Sequence, residues 1–207
     1  MDPLLWAVVF VLTVSFLSNV SPFVGASYTL LATLQLTLLG LTPFNFALIV
    51  AISAIGATLA KVVIYFGGLG FSGPLLRNKN VKLIGKYSTR DAFYLVLFVS
   101  ALLPVFPVDD FIYIGAGANS TSLGLMTLVT FVAKLVKSGF EIALEFTVLR
   151  DISHFFGVHQ LDLTVILSGV FVLIGVLAYK LDWESLYGKV RRRGHEADRG
   201  MPVILAS

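Results

Sequence analysis

Cysteine is absent from all 207 residues. That excludes disulfides, thiolate nucleophiles and thiolate metal sites, and leaves the redox compartment unread. Charge is scarce as well. Only 13% of residues are Asp, Glu, Lys or Arg and 57% are hydrophobic, whereas a soluble domain is about a quarter charged. With a mean hydropathy of +0.91, the chain reads as an integral membrane protein. Histidine is limited to His154, His159 and His195. These fall in expected loops or the tail at spacings that match no metal site, so neither metal nor cofactor is expected. No Ser/His/Asp set, His-Glu-x-x-His pair or Gly-rich phosphate loop occurs, and enzyme chemistry has no support. Met1-Asp2-Pro3 offers no basic stretch, and no small-x-small cleavage site follows the first apolar run. That run is expected to be a retained helix rather than a signal peptide.

The remainder is mostly apolar segments and the breaks between them. Leu4–Leu17 reads as a short helix, broken by a Pro22/Gly25 turn. Ala26–Leu41 resumes as a helix with Thr29, Thr33, Gln35 and Thr37 interspersed, too polar to face lipid alone. Phe46–Leu69 is a full span rich in small residues, and Gly56-x-x-x-Ala60 fits close helix packing. Phe71–Asp91 reads as a basic loop. Ala92–Gly117 is apolar but interrupted by Pro104 and Pro107. Leu123–Leu149 is a second full span, Arg150–Asp162 a polar loop, and Leu163–Leu181 a charge-free span. One membrane domain over 1–182 and a basic tail over 183–207 follow. Arg191-Arg192-Arg193 in that tail suits anionic headgroups rather than nucleic acid.

Basic residues at 77–90 and in the tail place both segments in the cytoplasm. Three apolar stretches separate them, so one must enter and leave on the same side. The proline-broken 92–117 is the expected re-entrant hairpin. The same reasoning run backwards makes about 18–41 a second hairpin, entering from outside. The expected architecture is all-α, with about four transmembrane helices and two re-entrant helical hairpins in an inverted repeat, a plan used by secondary transporters. Both termini are expected in the cytoplasm, and the membrane is expected to be the plasma membrane of a prokaryote.

Seven ionisable residues lie inside these segments: Lys61, Asp109, Asp110, Lys134, Lys137, Glu141 and Glu145. Each costs about 2.5–3.5 kcal/mol at the bilayer centre even on permissive scales, so they must face one another or a wet cavity. Lys134, Lys137, Ser138, Glu141 and Glu145 share a stripe roughly 100° wide on one helix. The stripe reads as the wall of a transport cavity or as an ion-pair ladder docking two helices. Asp109-Asp110 follows the proline break. Two adjacent carboxylates away from water resist ionising together, which suits proton coupling. They would equally cap the second half-helix, Asp109 more readily than Asp110. Lys61 shares a face with Tyr65 and is expected to pair with an aspartate or to snorkel.

Pro22-Phe23-Val24-Gly25, Gly56-Ala57-Thr58-Leu59-Ala60-Lys61 with Tyr65 and Gly67, Leu103-Pro104, and Ala116-Gly117 together resemble the DedA (VTT-domain, SNARE-associated) membrane proteins over roughly 18–150. The family has an acidic residue after its first hairpin glycine where this chain has Ala26-Ser27. It has Asp in place of Lys61, and two arginines around the second hairpin's proline, where Ala101 and Pro107 stand here. The charge polarity therefore looks exchanged. The resemblance implies translocation of an anionic phospholipid or polyprenyl-phosphate carrier, often proton-coupled. On that reading Lys61, Lys134, Lys137 and Tyr65 would meet the substrate. Asp109, Asp110, Glu141 and Glu145 would carry protons or balance charge, and Pro22, Gly25, Pro104 and Pro107 would shape the hairpins. Membrane lipids are the expected partners, and oligomerisation is left open. A non-transporting scaffold or assembly factor, and a small-solute or ion transporter, are the rival readings.

Overall fold

The computed structural model describes residues 2–20, 28–88, 90–103 and 108–159, with residues 161–163, 165–167, 169–170 and 173 beyond them. Pro22, Gly25, Pro104, Pro107 and the tail lie outside the described residues. Among the described residues the chain is all-helical, with no strands. It forms α1 (Pro3–Val20), α2 (Tyr28–Leu39), α3 (Pro43–Gly70), α4 (Ser72–Leu75), α5 (Lys79–Tyr87), α6 (Asp91–Leu102), α7 (Val108–Ala118) and α8 (Leu123–Phe156). Three of these, α1, α3 and α8, are long and apolar enough to cross a membrane. Most of the expected span 163–181 lies outside the described residues.

Local chemistry sets the ends. Thr42 caps α3 by accepting from the Asn45 N–H at 3.1 Å, with Pro43 in the first turn. Asn45 also ties back to the carbonyls of Leu39 (3.2 Å) and Gly40 (2.9 Å). Gly40 has φ +83°, the left-handed conformation that ends α2. Helix α8 runs through Arg150 to Phe156 and stops at Gly157, φ +66°. There the Val158 N–H reaches the Ser153 carbonyl at 3.1 Å, the long-range bond of a glycine C-cap. The expected loop from Arg150 is therefore mostly helix, and His154 lies on α8 rather than in a loop.

The basic stretch 71–91 is corrected likewise. It holds α4 and α5 rather than a loop. Asn78 caps α5 by accepting from the Asn80 N–H at 2.8 Å. Gly85 and Ile84 of α5 then sit against Asn119 and Gly115, and Asn119 donates to the Val81 carbonyl at 2.7 Å.

Helix directions follow from the packing. Val11 and Ala7 of α1 join Ile49 and Val50 of α3 in one apolar cluster, with Leu36 of α2. Further along, a Cβ on Gly56 of α3 would lie 2.7 Å from the Leu12 carbonyl and 2.9 Å from Ser15 Cβ. Helices α1 and α3 therefore run in the same direction, and α2 runs back between them. At the other end of α3, Gly68 faces the backbone of Ile114, and Gly117 of α7 faces the Tyr65 carbonyl. With Asp110 at Lys61 and Asn119 at Val81 beyond the end of α3, α7 runs in the same direction as α3. Helix α8 is antiparallel to α3, with Val50 beside Gly139 and Tyr65 bonded to Thr121.

One end of the bundle thus holds the start of α1, the α2–α3 turn and the last turns of α8. The opposite end holds α4, α5 and the α7–α8 turn. The sequence expectation put the chain's start and the basic 77–90 segment on one side. In the structure α1 begins at the end opposite α5, because it packs parallel to α3. Two apolar cores result. One joins Ala7, Leu36, Ile49 and Ile142, and the other joins Tyr65, Leu97, Tyr113 and Met126.

A buried charge cluster between two apolar cores

The interval between those cores is polar. Lys61 projects from the middle of α3, Lys134 from the middle of α8, and Asp109 and Asp110 from the first turn of α7. All four are buried, at 2%, 3%, 4% and 7% exposure respectively. The Lys61 ammonium pairs with Asp110 Oδ1 and lies 3.3 Å from Asp109 Oδ2. Lys134 Nζ approaches that same Oδ2 at 3.0 Å. Asp109 therefore bridges two lysines, and two cations balance two anions. No donor among the described residues is aligned for a hydrogen bond to Asp109 Oδ2, so the two ammonium charges hold it. Its other oxygen accepts from the Asp110 N–H at 3.1 Å.

Both carboxylates lie inside α7 rather than at its cap position, where their charge complements the positive end of the helix dipole. The expected pairing of Lys61 with an aspartate is present, and with both aspartates. Sequence reasoning had placed Lys134 only on the stripe of its own helix.

The rest of that stripe continues along α8 toward the end where α1 begins. Lys137 Nζ lies 3.9 Å from Glu141 Oε1, a loose i, i+4 pair. Ser138 Oγ is 3.3 Å from the Tyr28 hydroxyl of α2. Glu145 accepts from Thr29 (2.6 Å) on one oxygen and from Thr33 (2.8 Å) on the other. No cation among the described residues is ion-paired with Glu145.

Sequence reasoning missed this threonine cradle. Its signal was legible, since Thr29 and Thr33 are one turn apart on a helix otherwise apolar enough for a core. Tyr65 is not brought to the cluster. Its hydroxyl donates to the Thr121 carbonyl at 2.6 Å, in the apolar core toward α5. There Tyr113 donates to Thr130 Oγ1 at 2.9 Å. The cluster therefore has polar neighbours on one side and packed aromatic rings on the other. The four hairpin-shaping residues named from sequence, Pro22, Gly25, Pro104 and Pro107, lie outside the described residues.

A groove of about 330 Å³ opens on the flank between α3 and α8, its lining reaching Thr58 and Phe131, about one helical turn from Lys61 and Lys134 respectively. It is lined by Ile55, Thr58, Leu59, Thr127, Leu128 and Phe131. Leu59 and Leu128 are exposed there. No group of three or more potential metal ligands occurs among the described residues. In comparisons with known proteins, no family model, no curated protein and no solved structure matches this chain.

Proposed function

We propose that this protein moves an anionic lipid or lipid-phosphate carrier between the leaflets of a membrane, with its buried carboxylates exchanging protons as it does so. One observation carries the reading: a charge-balanced Lys/Asp cluster is buried where the short helix α7 begins, and an apolar groove opens on the bundle's flank about one helical turn from its two lysines. Charge at membrane depth marks pathways for polar groups. A lateral apolar groove suits a substrate that keeps its chains in lipid while its phosphate meets ammonium groups. A small solute has no use for such a groove.

The order of elements supports a repeat. Helix, break, short helix, tight turn and long helix occur twice, as α1–α2–α3 and α6–α7–α8. The short helix of each unit meets the long helix of the other, Asp110 to Lys61 and Thr29 to Glu145. We read these as inverted repeats with α6 and α7 as a re-entrant pair. Their 12 and 11 residues reach about 18 Å, roughly half a ~30 Å core. The motif likeness to the DedA proteins supports the lipid-phosphate substrate class.

The test uses the loose pair on α8. Lys137→Gln and Glu141→Gln delete charge and keep size, and at 3.9 Å the pair makes no hydrogen bond to lose. In reconstituted vesicles the wild type should transfer a labelled anionic lipid between leaflets. Both variants should melt like wild type and lose at least tenfold in rate.

A second reading draws on the completeness of the charge pairing. A scaffold would use the cluster purely as a dock between α3, α7 and α8. Absence of lipid movement by the wild type, with and without a pH gradient, together with reduced melting temperature in both variants, would favour the scaffold.

A further inference from the structure

The end of the bundle that carries α5 has a second groove, unconnected with the ion cluster. Its volume is about 340 Å³, and it lies between α5 and α6 over α7, lined by Leu83, Ile84, Tyr87, Phe93, Val96 and Ile112. Every one of these is apolar or aromatic. Leu83 and Val96 are 55% and 56% exposed, so the groove opens outward.

Helix α5 presents three faces. Ile84 and Gly85 pack on α7, Lys79, Lys82 and Lys86 point away, and Leu83 and Tyr87 lie between these two faces beside the groove. At the groove's mouth the Lys86 ammonium lies 5.9 Å, and the Arg90 guanidinium 4.8 Å, from the centre of the Tyr87 ring. Such cation–ring contacts hold both charges at that edge. Among the described residues none of Arg77, Lys79, Lys82, Lys86 and Arg90 is in an ion pair. Asp91 is the acid next to them in sequence. An apolar slot with an unneutralised basic rim complements an amphiphile of opposite charge.

We propose that the α5–α6 groove is a binding site for one anionic phospholipid, with an acyl chain along Leu83, Phe93 and Val96 and the phosphate held by Lys86 and Arg90. The occupant is a lipid rather than a free phosphate because the cavity itself offers nothing polar. The basic segment belongs at the headgroup level, where Lys and Arg are attracted to an anionic surface. The site stands on the chain being membrane-embedded and does not depend on lipid transport. A protein inert in the vesicle assay would leave it standing.

Photolabelling of the full-length protein in nanodiscs tests the site. The probe is phosphatidylglycerol with a diazirine near the middle of one acyl chain, compared with the same probe made as phosphatidylcholine. Adducts should concentrate in residues 83–96 for phosphatidylglycerol. They should fall at least fivefold in Lys86→Gln/Arg90→Gln, whose changes lie on exposed side chains. Val96→Trp fills the groove and should remove these adducts without changing the melting temperature. Water-soluble glycerol phosphate at millimolar concentration should not compete. Equal labelling by the two lipids, or labelling unchanged in Lys86→Gln/Arg90→Gln, would overturn the site. So would competition by glycerol phosphate, or loss on neutralising Arg191, Arg192 and Arg193 instead. A dimer that Val96→Trp dissolves would give the groove to a second copy and also overturn it.

Discussion

Removing Lys61 would leave two buried carboxylates sharing one ammonium group. Breaking one side of a buried ion pair typically costs about 3–5 kcal/mol, because the abandoned charge stays desolvated. Lys61→Met should therefore lower the melting temperature sharply in mild detergent. Asp110 faces Lys61 alone, whereas Asp109 is also held by Lys134 at 3.0 Å. Lys61→Met/Asp110→Asn should accordingly recover much of the loss, with a coupling of about 1 kcal/mol or more. Lys61→Met/Asp109→Asn should recover less, because it strands Lys134 as well. Strict additivity in both double variants would show that these contacts contribute little. At this scale the sequence was informative about identity and poor about partnership. Seven charges in apolar segments announced a buried cluster. Nothing in helical periodicity, however, connects Lys134 of α8 to Asp109 of α7, because that contact depends on where a half-helix ends in space. Tyr65 shows the reverse error. It shares a helix face with Lys61, yet one further turn carries it past the cluster into the aromatic core.

Close helix contact is legible from small residues only where the partner can be guessed. Gly56-x-x-x-Ala60 marked α3 as a packing helix, and α1 does lie against it. The tighter crossing is that of Gly68 and Gly117, where α3 and α7 meet backbone to backbone. Gly68→Leu or Gly117→Val should give aggregated protein on size-exclusion chromatography, since a side chain at either place meets main-chain atoms rather than a movable group. Gly67→Ala and Gly70→Ala should elute as wild type, for a Cβ at either meets nothing within 4 Å. Normal elution of both crossing variants would mean that α3 and α7 sit further apart. Elements were misread where hydropathy was the sole guide. Residues 71–91 looked like loop because Arg77, Lys79, Lys82, Lys86 and Arg90 punctuate them, yet Asn78 and the inward Val81, Ile84 and Gly85 make a helix that lies on α7. Helix α8 was cut short at Leu149 because Arg150-Asp151 opens a polar stretch. Charge limits membrane depth; the helix itself ends only at Gly157.

Across the whole molecule, the direction of α1 decides the topology. Ala7 and Val11 pack with Ile49 and Val50, and further along Leu12 and Ser15 meet Gly56, so α1 is parallel to α3 and its start lies at the end opposite the basic helix α5. Among the described residues positive charge is concentrated at the α5 end, in Arg77, Lys79, Lys82, Lys86 and Arg90, so that end is expected to face the cytoplasm. Asp2 should then face outward, and so should Asp151 near the end of α8. Asp91 and Asn119, at the two outer ends of the α6–α7 pair, should both face inward. The natural lack of cysteine makes this measurable without background. Single cysteines at 2, 79, 91, 119 and 151 would be treated in intact cells with an impermeant maleimide. Positions 2 and 151 should label at once; 79, 91 and 119 should label only after permeabilisation. Opposite behaviour at 91 and 119 would mean that α6 and α7 together cross the membrane, removing the re-entrant pair and with it the inverted repeat. Shared behaviour of 2 and 79 would instead reverse α1 and restore the arrangement expected from charge and hydropathy alone. The positions separate these outcomes because each hairpin is interrogated at both of its outer ends or against the neighbouring span. A single misplaced helix therefore changes one pair of results and not all five.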